Sequence, residues 1–292
     1  MNRLGEPPTL GVVGGGQLGR MLAEAAAPLG VELVVLDPTP DCPAAPVARE
    51  QVVGDFDDAD ALDDLAARSD ALTFEIELAD PDLLERVGEE HDVPVHPDPA
   101  TLRTIQDKLV QKRRLQDRGI PVPEFRAVDD RDDLLAAGEE LGYPMMAKAR
   151  QGGYDGRGNV PVESPDAVDD ALAELDGDLM VEAFVPFERE LSVIAAKGDG
   201  EAATFPVGEN VHEAEILRET VVPARAPERI RERAEEVALD VLDVVSGRGV
   251  YGIELFERED GAILVNEIAP RPHNSGHYTI EGALTSQFEQ HV

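Results

Sequence analysis

The chain has 292 residues and sets 26 Lys+Arg against 61 Asp+Glu, a formal charge of −35. That balance argues against a nucleic-acid binder, which needs basic surface, and a hydrophobic fraction of 42% argues against disorder. No run approaches the roughly 20 apolar residues of a membrane span, the N-terminus carries no long signal core, and Cys42 alone can form neither an internal disulfide nor a thiolate cluster. The reading is a soluble, cytoplasmic chain of about two domains.

The acidity is spread along the chain, as in Asp55, Asp57, Asp58, Asp60, Asp63 and Asp64, which points to a solvated, halophilic surface suited to a salty cytoplasm. Only Lys108, Lys112, Lys148 and Lys197 are lysines, so each merits inspection.

In chain order, Thr9 to Val13 reads as a strand that meets Gly14, Gly15 and Gly16, after which Leu18, Met21, Leu22 and Ala25 recur at helical spacing. Gly14-x-Gly16-x-x-Gly19 with Asp37 downstream matches a dinucleotide fingerprint, in which glycines admit a phosphate to a helix N-terminus. On its own the motif is equally consistent with a tight strand-to-helix turn. Further strands over Val31 to Leu36 and Ala71 to Ile76, the latter containing Glu75 and followed by Glu77, imply a doubly wound parallel sheet with ligands at its carboxyl edge. A boundary falls near His96-Pro97-Asp98-Pro99, giving domains 1–98 and 99–292. One helix carrying Leu102, Ile105 and Leu109 then runs to Gly119.

From Tyr143 the pattern turns to short strands and hairpins, with helices near Asp166 to Leu175 and over Pro227 to Val245, the second closed by Gly247 as its C-cap. Between two strand-like runs lies Gly152-Gly153-Tyr154-Asp155-Gly156-Arg157-Gly158-Asn159, just after Lys148. Amides of such a loop can surround phosphate oxygens, Lys148 adding a point charge and Arg157 a fork. Around Val181 to Val185, Glu182 and Glu190 taken singly read first as surface salt-bridging acids, and alternatively as the border of a hydrophobic slot able to take a purine, with a carboxylate for ribose hydroxyls. Asp260-Gly261 predicts a two-residue hairpin turn pairing Glu259 with Ala262, which sets Glu254 opposite Glu267. Two opposed carboxylates invite a cation between them, and oxygen donors suit Mg²⁺. Arg271-Pro272-His273-Asn274-Ser275-Gly276-His277 follows; His273 and His277 lack the third ligand of a zinc site, so substrate recognition is preferred.

Together these features resemble the ATP-grasp ligases. GGGQLGRML from Gly14, TFEIE from Thr73, KARQGGYDGRGN from Lys148 and NEIAPRPHNSGHYTIEGALTSQFEQH from Asn266 narrow the resemblance to the family of phosphoribosylaminoimidazole carboxylase ATPase subunits, or N5-carboxyaminoimidazole ribonucleotide synthetases. It covers essentially the whole chain. It implies an α/β, doubly wound pre-ATP-grasp domain over 1–98, followed by an α+β ATP-grasp domain over 99–292 with a lid at about 123–185. A small β-rich C-terminal domain of the family is expected to be missing from this sequence, which would put the site's completeness in question.

The implied reaction is carboxylation of 5-aminoimidazole ribonucleotide by ATP and bicarbonate through carboxyphosphate, in purine biosynthesis. By motif, Lys108, Lys148, the loop Gly153, Tyr154, Asp155, Gly156, Arg157, Gly158, Asn159, the run Glu182, Ala183, Phe184, Val185, and Glu190, His212, Asn266 and Glu267 would hold ATP. Glu254 and Glu267 would bind Mg²⁺. Gln17, Leu18, Glu75, Tyr154, Arg271, His273 and Asn274 would take the ribonucleotide and bicarbonate, with Arg271, Lys148 and Asp155 closest to the chemistry. The resemblance also implies a homodimer and a functional link to the carboxy-mutase of the same pathway. A formate-dependent glycinamide ribonucleotide transformylase shares the architecture but not RPHNSGH, a nicotinamide oxidoreductase would explain only the first 80 or so residues, and a non-catalytic nucleotide-binding remnant is a third alternative.

Overall fold

The computed structural model describes residues 7–152, 158–213 and 216–292. The N-terminal part alternates strands and helices: β1 (Thr9–Val13), α1 (Gln17–Leu29), β2 (Glu32–Asp37), β3 (Glu50–Val53), α2 (Ala59–Ala67), β4 (Ala71–Phe74) and α3 (Pro81–His91). The strands pair in parallel in the order β3-β2-β1-β4. All five residues of β1 are buried, because helices cover both faces of the sheet. Val13, Leu36, Leu72 and Phe74 pack with α2 and α3 on one face, and Leu10, Val12, Leu33 and Val35 with α1 on the other.

Where the sequence suggests one helix after the boundary, there are two: α4 (Pro99–Gln106) and α5 (Lys108–Asp117). Asp107 breaks them apart. Its backbone is extended, and its carboxylate accepts the Leu109 and Val110 amides as the cap of α5 while pairing with Arg150. Leu102 and Ile105 therefore belong to one helix and Leu109 to the next.

A small antiparallel sheet follows, made of β5 (Phe125–Val128), β6 (Met145–Ala149), β7 (Asn159–Val162) and β8 (Leu179–Ala183), in the order β5-β8-β6-β7. It is backed by α6 (Arg131–Leu141) and α7 (Val168–Glu174). The larger antiparallel sheet contains β9 (Phe187–Lys197), β10 (Ala202–Thr204), β11 (Gly208–Glu213), β12 (Ile216–Val221), β13 (Gly249–Arg258) and β14 (Ile263–Ala269). Its order is β12-β11-β9-β13-β14, with β10 also on β9. Helix α8 (Glu228–Leu242) buries Ile230, Ala234, Val237 and Val241 against it.

Gly247 is not the C-cap of α8, a place taken by Asp243 in right-handed conformation. It has φ +92°, and a Cβ there would meet the Asp98 amide at 2.2 Å, so glycine is needed where the boundary segment crosses the 246–249 loop. After the short α9 (Thr279–Gly282), α10 (Gln287–His291) returns to the N-terminal sheet, where Phe288 joins the α1 core. The His291 ring spans the two parts: Nδ1 accepts the Val250 amide of β13 at 3.1 Å, which leaves the proton on Nε2, 2.8 Å from the Thr73 hydroxyl of β4. Among the described residues no helix is long and apolar enough to cross a membrane.

Candidate functional site

The glycine-rich turn sits at the carboxyl edge of the parallel sheet, where such folds bind ligands. Two of its amides are already held by protein carboxylates. Gly15 donates to Asp37 Oδ2 at 2.9 Å and Gly16 to Glu75 Oε1 at 2.7 Å. Asp37, which a dinucleotide would need for its ribose, is buried and gives its second oxygen to the Thr39 amide. Gly14 has φ +105°, and a Cβ on it would fall 2.7 Å from Glu75 Cγ, so the turn is shaped around Glu75. Burial pushes the Glu75 carboxyl up to about 7, the Gly16 amide and Arg271 working against it. Beyond this, α1 opens without a side-chain cap, which leaves the Gln17 and Leu18 amides at its positive end. The Leu18 side chain itself lies in the core.

Glu254 and Glu267 do face each other across β13 and β14, but by a different route from the turn chemistry. The chain reverses one residue wider than a two-residue hairpin: Arg258 donates to the Ala262 carbonyl, and Gly261 holds φ +81°. From there Glu257 pairs with Ile263 and Leu255 with Val265, one residue out of the expected register. A β-bulge at Asn266 restores it, so that Glu254 meets Glu267. Burial first, and the facing Glu267 second, push Glu254 up to about 7. Two carboxylates facing each other across the strands fit a divalent cation, which would be held by Glu254 and Glu267. No group of three metal-ligating side chains occurs among the described residues, and His277 Nδ1 is bonded to the Asn274 carbonyl instead.

The lysines converge on the same place. Lys108, the first residue of α5, donates to the Gly152 carbonyl at 2.9 Å at the start of the glycine loop, and burial lowers its pKa. Lys148 donates to Glu182 Oε2 at 2.8 Å, while Lys112 lies 3.2 Å from Oε1. Burial would raise the Glu182 carboxyl, yet two ammonium groups hold it well below the usual carboxylate range. Glu182 is therefore a buried counter-ion to two lysines, on the wall of the slot. Nothing local in the sequence gives Lys112 a role; its depth becomes visible only once β8 and β14 are seen to flank α5. His212 Nδ1 bonds Glu190, which raises the imidazole pKa. Phe187 and Phe256 stack at 5.0 Å along the slot.

After β14, Arg271 is buried, with Nε 2.8 Å from Glu77, and His273 Nδ1 accepts the Ser275 amide, placing its proton on Nε2 toward Glu254 at 3.7 Å. Burial, then Arg271, lower His273 to about 3, so it acts as a neutral donor. Asn274 is exposed beside it.

These groups line two adjoining cavities. One, of about 480 Å³, takes in Lys108, Arg271, His273 and Asn274; the other, of about 620 Å³, takes in Lys148, Glu182 to Val185, Glu190 and Asn266. Both are lined by Asn159, His212, Glu254 and Glu267. Gln17, Leu18 and Glu75 line neither. Gly153, Tyr154, Asp155, Gly156 and Arg157 lie outside the described residues; Gly158 closes the β6–β7 connection, its carbonyl accepting the Ala149 amide.

Residues 113–288 match the ATP-grasp domain, and residues 8–106 the ribonucleotide synthetase preATP-grasp domain. A phosphoribosylaminoimidazole carboxylase of Schizosaccharomyces pombe is 43% identical over 99% of this chain and 53% of its own length. An N5-carboxyaminoimidazole ribonucleotide synthase of Brucella melitensis is 43% identical over 97% of this chain and 79% of its own. The chain thus spans about half the length of several curated relatives, among them that of Schizosaccharomyces pombe, and more of others. The structure of an N5-carboxyaminoimidazole synthase from Aspergillus clavatus, in complex with ADP and 5-aminoimidazole ribonucleotide, superposes with a TM-score of 0.92 at 40% identity, covering 98% of this chain and 76% of that one.

Proposed function

Since the chain belongs to the ATP-grasp family, and within it to the N5-carboxyaminoimidazole ribonucleotide synthases, we propose that it carboxylates 5-aminoimidazole ribonucleotide with ATP and bicarbonate. The observation that carries this is the meeting of two cavities at the Glu254–Glu267 pair. One suits a nucleotide, with an aromatic floor and Lys148 at its end; the other is lined by Arg271, His273 and Asn274, groups suited to a small anion and a polar ring.

A bicarbonate oxygen attacks the γ-phosphorus, the bond to the β-bridging oxygen breaks, and ADP leaves. The exocyclic amine then attacks the carbonyl carbon of carboxyphosphate, phosphate leaves, and the amine loses a proton to give the carbamate. Lys108 and Lys148 offset the charge of the phosphoryl oxygens. Mg²⁺, when bound, would add Lewis-acid stabilisation at the same oxygens. Arg271, steadied by Glu77, holds the mixed anhydride, and His273 donates from Nε2 without adding charge. Tyr154 and Asp155 of the glycine-rich segment after Lys148 contribute to holding the phosphates and the substrate, and keeping water from the labile anhydride favours its transfer to the amine. The uncapped amides of Gln17 and Leu18 take the ribonucleotide phosphate, and Glu75, protonated near neutrality, receives the aminoimidazole.

We also propose a cytoplasmic, salt-adapted homodimer whose unstable product passes to a carboxy-mutase, with domains meeting at residues 98 and 99. The activity is tested by ADP release at molar KCl with Mg·ATP and bicarbonate. Release should rise with added 5-aminoimidazole ribonucleotide and vanish in Glu267→Gln while circular dichroism is unchanged. Release indifferent to the ribonucleotide, or to Glu267→Gln, would sink the reading.

A further inference from the structure

Lys112 is 2% exposed, an expensive place for an ammonium group. Its Nζ donates to the carbonyls of Val265 at 3.0 Å and Asn266 at 2.9 Å, and pairs with Glu182 at 3.2 Å. Consecutive carbonyls of a regular strand point to opposite edges, so one ammonium cannot bond both. It does so here because β14 bulges at Asn266. The bulge also decides where Glu267 points. In the register that holds from Glu257–Ile263 to Leu255–Val265, Glu254 would face Asn266, and Glu267 would fall opposite Ile253 on the apolar face. The extra residue brings Glu267 back onto the face of Glu254.

We infer that Lys112 is a positioning residue: by clamping the two carbonyls of the bulge it fixes Glu267 opposite Glu254 and so builds the divalent-cation site. This rests on the reading that these two carboxylates hold the cation. In a simpler role Lys112 would only balance the buried Glu182, and the two roles make different predictions. Outer partners of metal ligands typically contribute 10- to 100-fold in metal affinity, so Lys112→Met should raise the half-saturating Mn²⁺ concentration at saturating ADP by that factor, read by water-proton relaxation without turnover.

In Lys112→Met/Glu182→Gln the unbalanced carboxylate is gone, and thermal stability should recover toward wild type while Mn²⁺ binding stays weak. Lys197→Met provides the control. That side chain likewise bonds two carbonyls, of Leu242 and Val245, away from the bulge, and its loss should leave Mn²⁺ binding unchanged. Wild-type Mn²⁺ affinity in Lys112→Met, or its recovery in the double variant, would overturn the positioning role. A wild-type protein with no Mn²⁺ site beyond that of ADP itself would overturn the metal reading, and this inference with it.

Discussion

Glu75 shows how a single buried acid can cost stability. Its carboxyl is buried under the glycine turn and pushed from 4.5 to about 7, so the folded protein holds a proton there that the unfolded chain has released. Stability contributed by this group is therefore present below about pH 4.5 and lost as pH rises through 7. Glu75→Gln keeps an acceptor for the Gly16 amide and removes the titration. Expected from urea unfolding is a variant more stable than wild type by up to about 3 kcal/mol at pH 8 and equal to it near pH 4.5, with ribonucleotide-dependent turnover impaired. An equal difference at both pH values would show that Glu75 is not the titrating group. The lysines follow the same economy. None is exposed, and all four amino groups bond a carbonyl or a carboxylate, so the long flexible cation is kept for interior contacts while the surface cations are arginines.

At the scale of elements, the break between α4 and α5 lets Gln106 and Lys108 both line the first cavity. Asp107 caps α5 and pairs with Arg150, and the next residue, Lys108, reaches the glycine loop. Asp107→Ala should lower stability by about 1 to 2 kcal/mol, the typical loss of an N-cap, and raise the KM for ATP. Asp107→Asn retains the cap and should lose less stability. An unchanged KM in the alanine variant would separate the cap from the nucleotide site. This break was hard to read from sequence, because Leu102, Ile105 and Leu109 continue one helical stripe across it and a capping Asp resembles any surface acid. The hairpin is instructive in another way. Alternation along β13 and β14 was legible, and so was the pairing of Glu254 with Glu267, yet the expected turn and the expected straight strand were each off by one residue and the two errors cancelled. Bulges leave little local trace, since what stabilises this one is Lys112, more than 150 residues away in sequence. The Gly-rich turn, the acids beyond β4 and the Arg271 segment were legible because glycine and clustered charge have few other uses at strand ends. Gly247 was misread for the same reason, as a helix cap rather than a point of close backbone approach.

For the molecule as a whole, −35 is the dominant number. Exposed arginines are shared between acids, Arg68 between Glu50 and Asp64 and Arg103 between Asp82 and Glu85. Such pairs contribute little individually and are weakened by salt. If they dominated, KCl would destabilise the protein. With 61 acids against 26 basic residues, however, acids exceed cations by 35, and the mutual repulsion of this excess outweighs the attraction within the pairs. Raising KCl from 0.1 to 1 M shortens the screening length from about 10 Å to about 3 Å, relieving that repulsion. The unfolding temperature should therefore climb with KCl, each ~1 kcal/mol gained showing as about 2 to 4 °C in a chain of this size. Excluded-salt effects would also raise it, and two substitutions separate the causes. Asp55→Asn with Asp57→Asn thins the acidic run ahead of α2 while sparing the cap Asp58. If repulsion is the cause, this variant gains stability at 0.1 M KCl and shows a shallower rise with salt; if salt exclusion is the cause, its curve runs parallel to wild type.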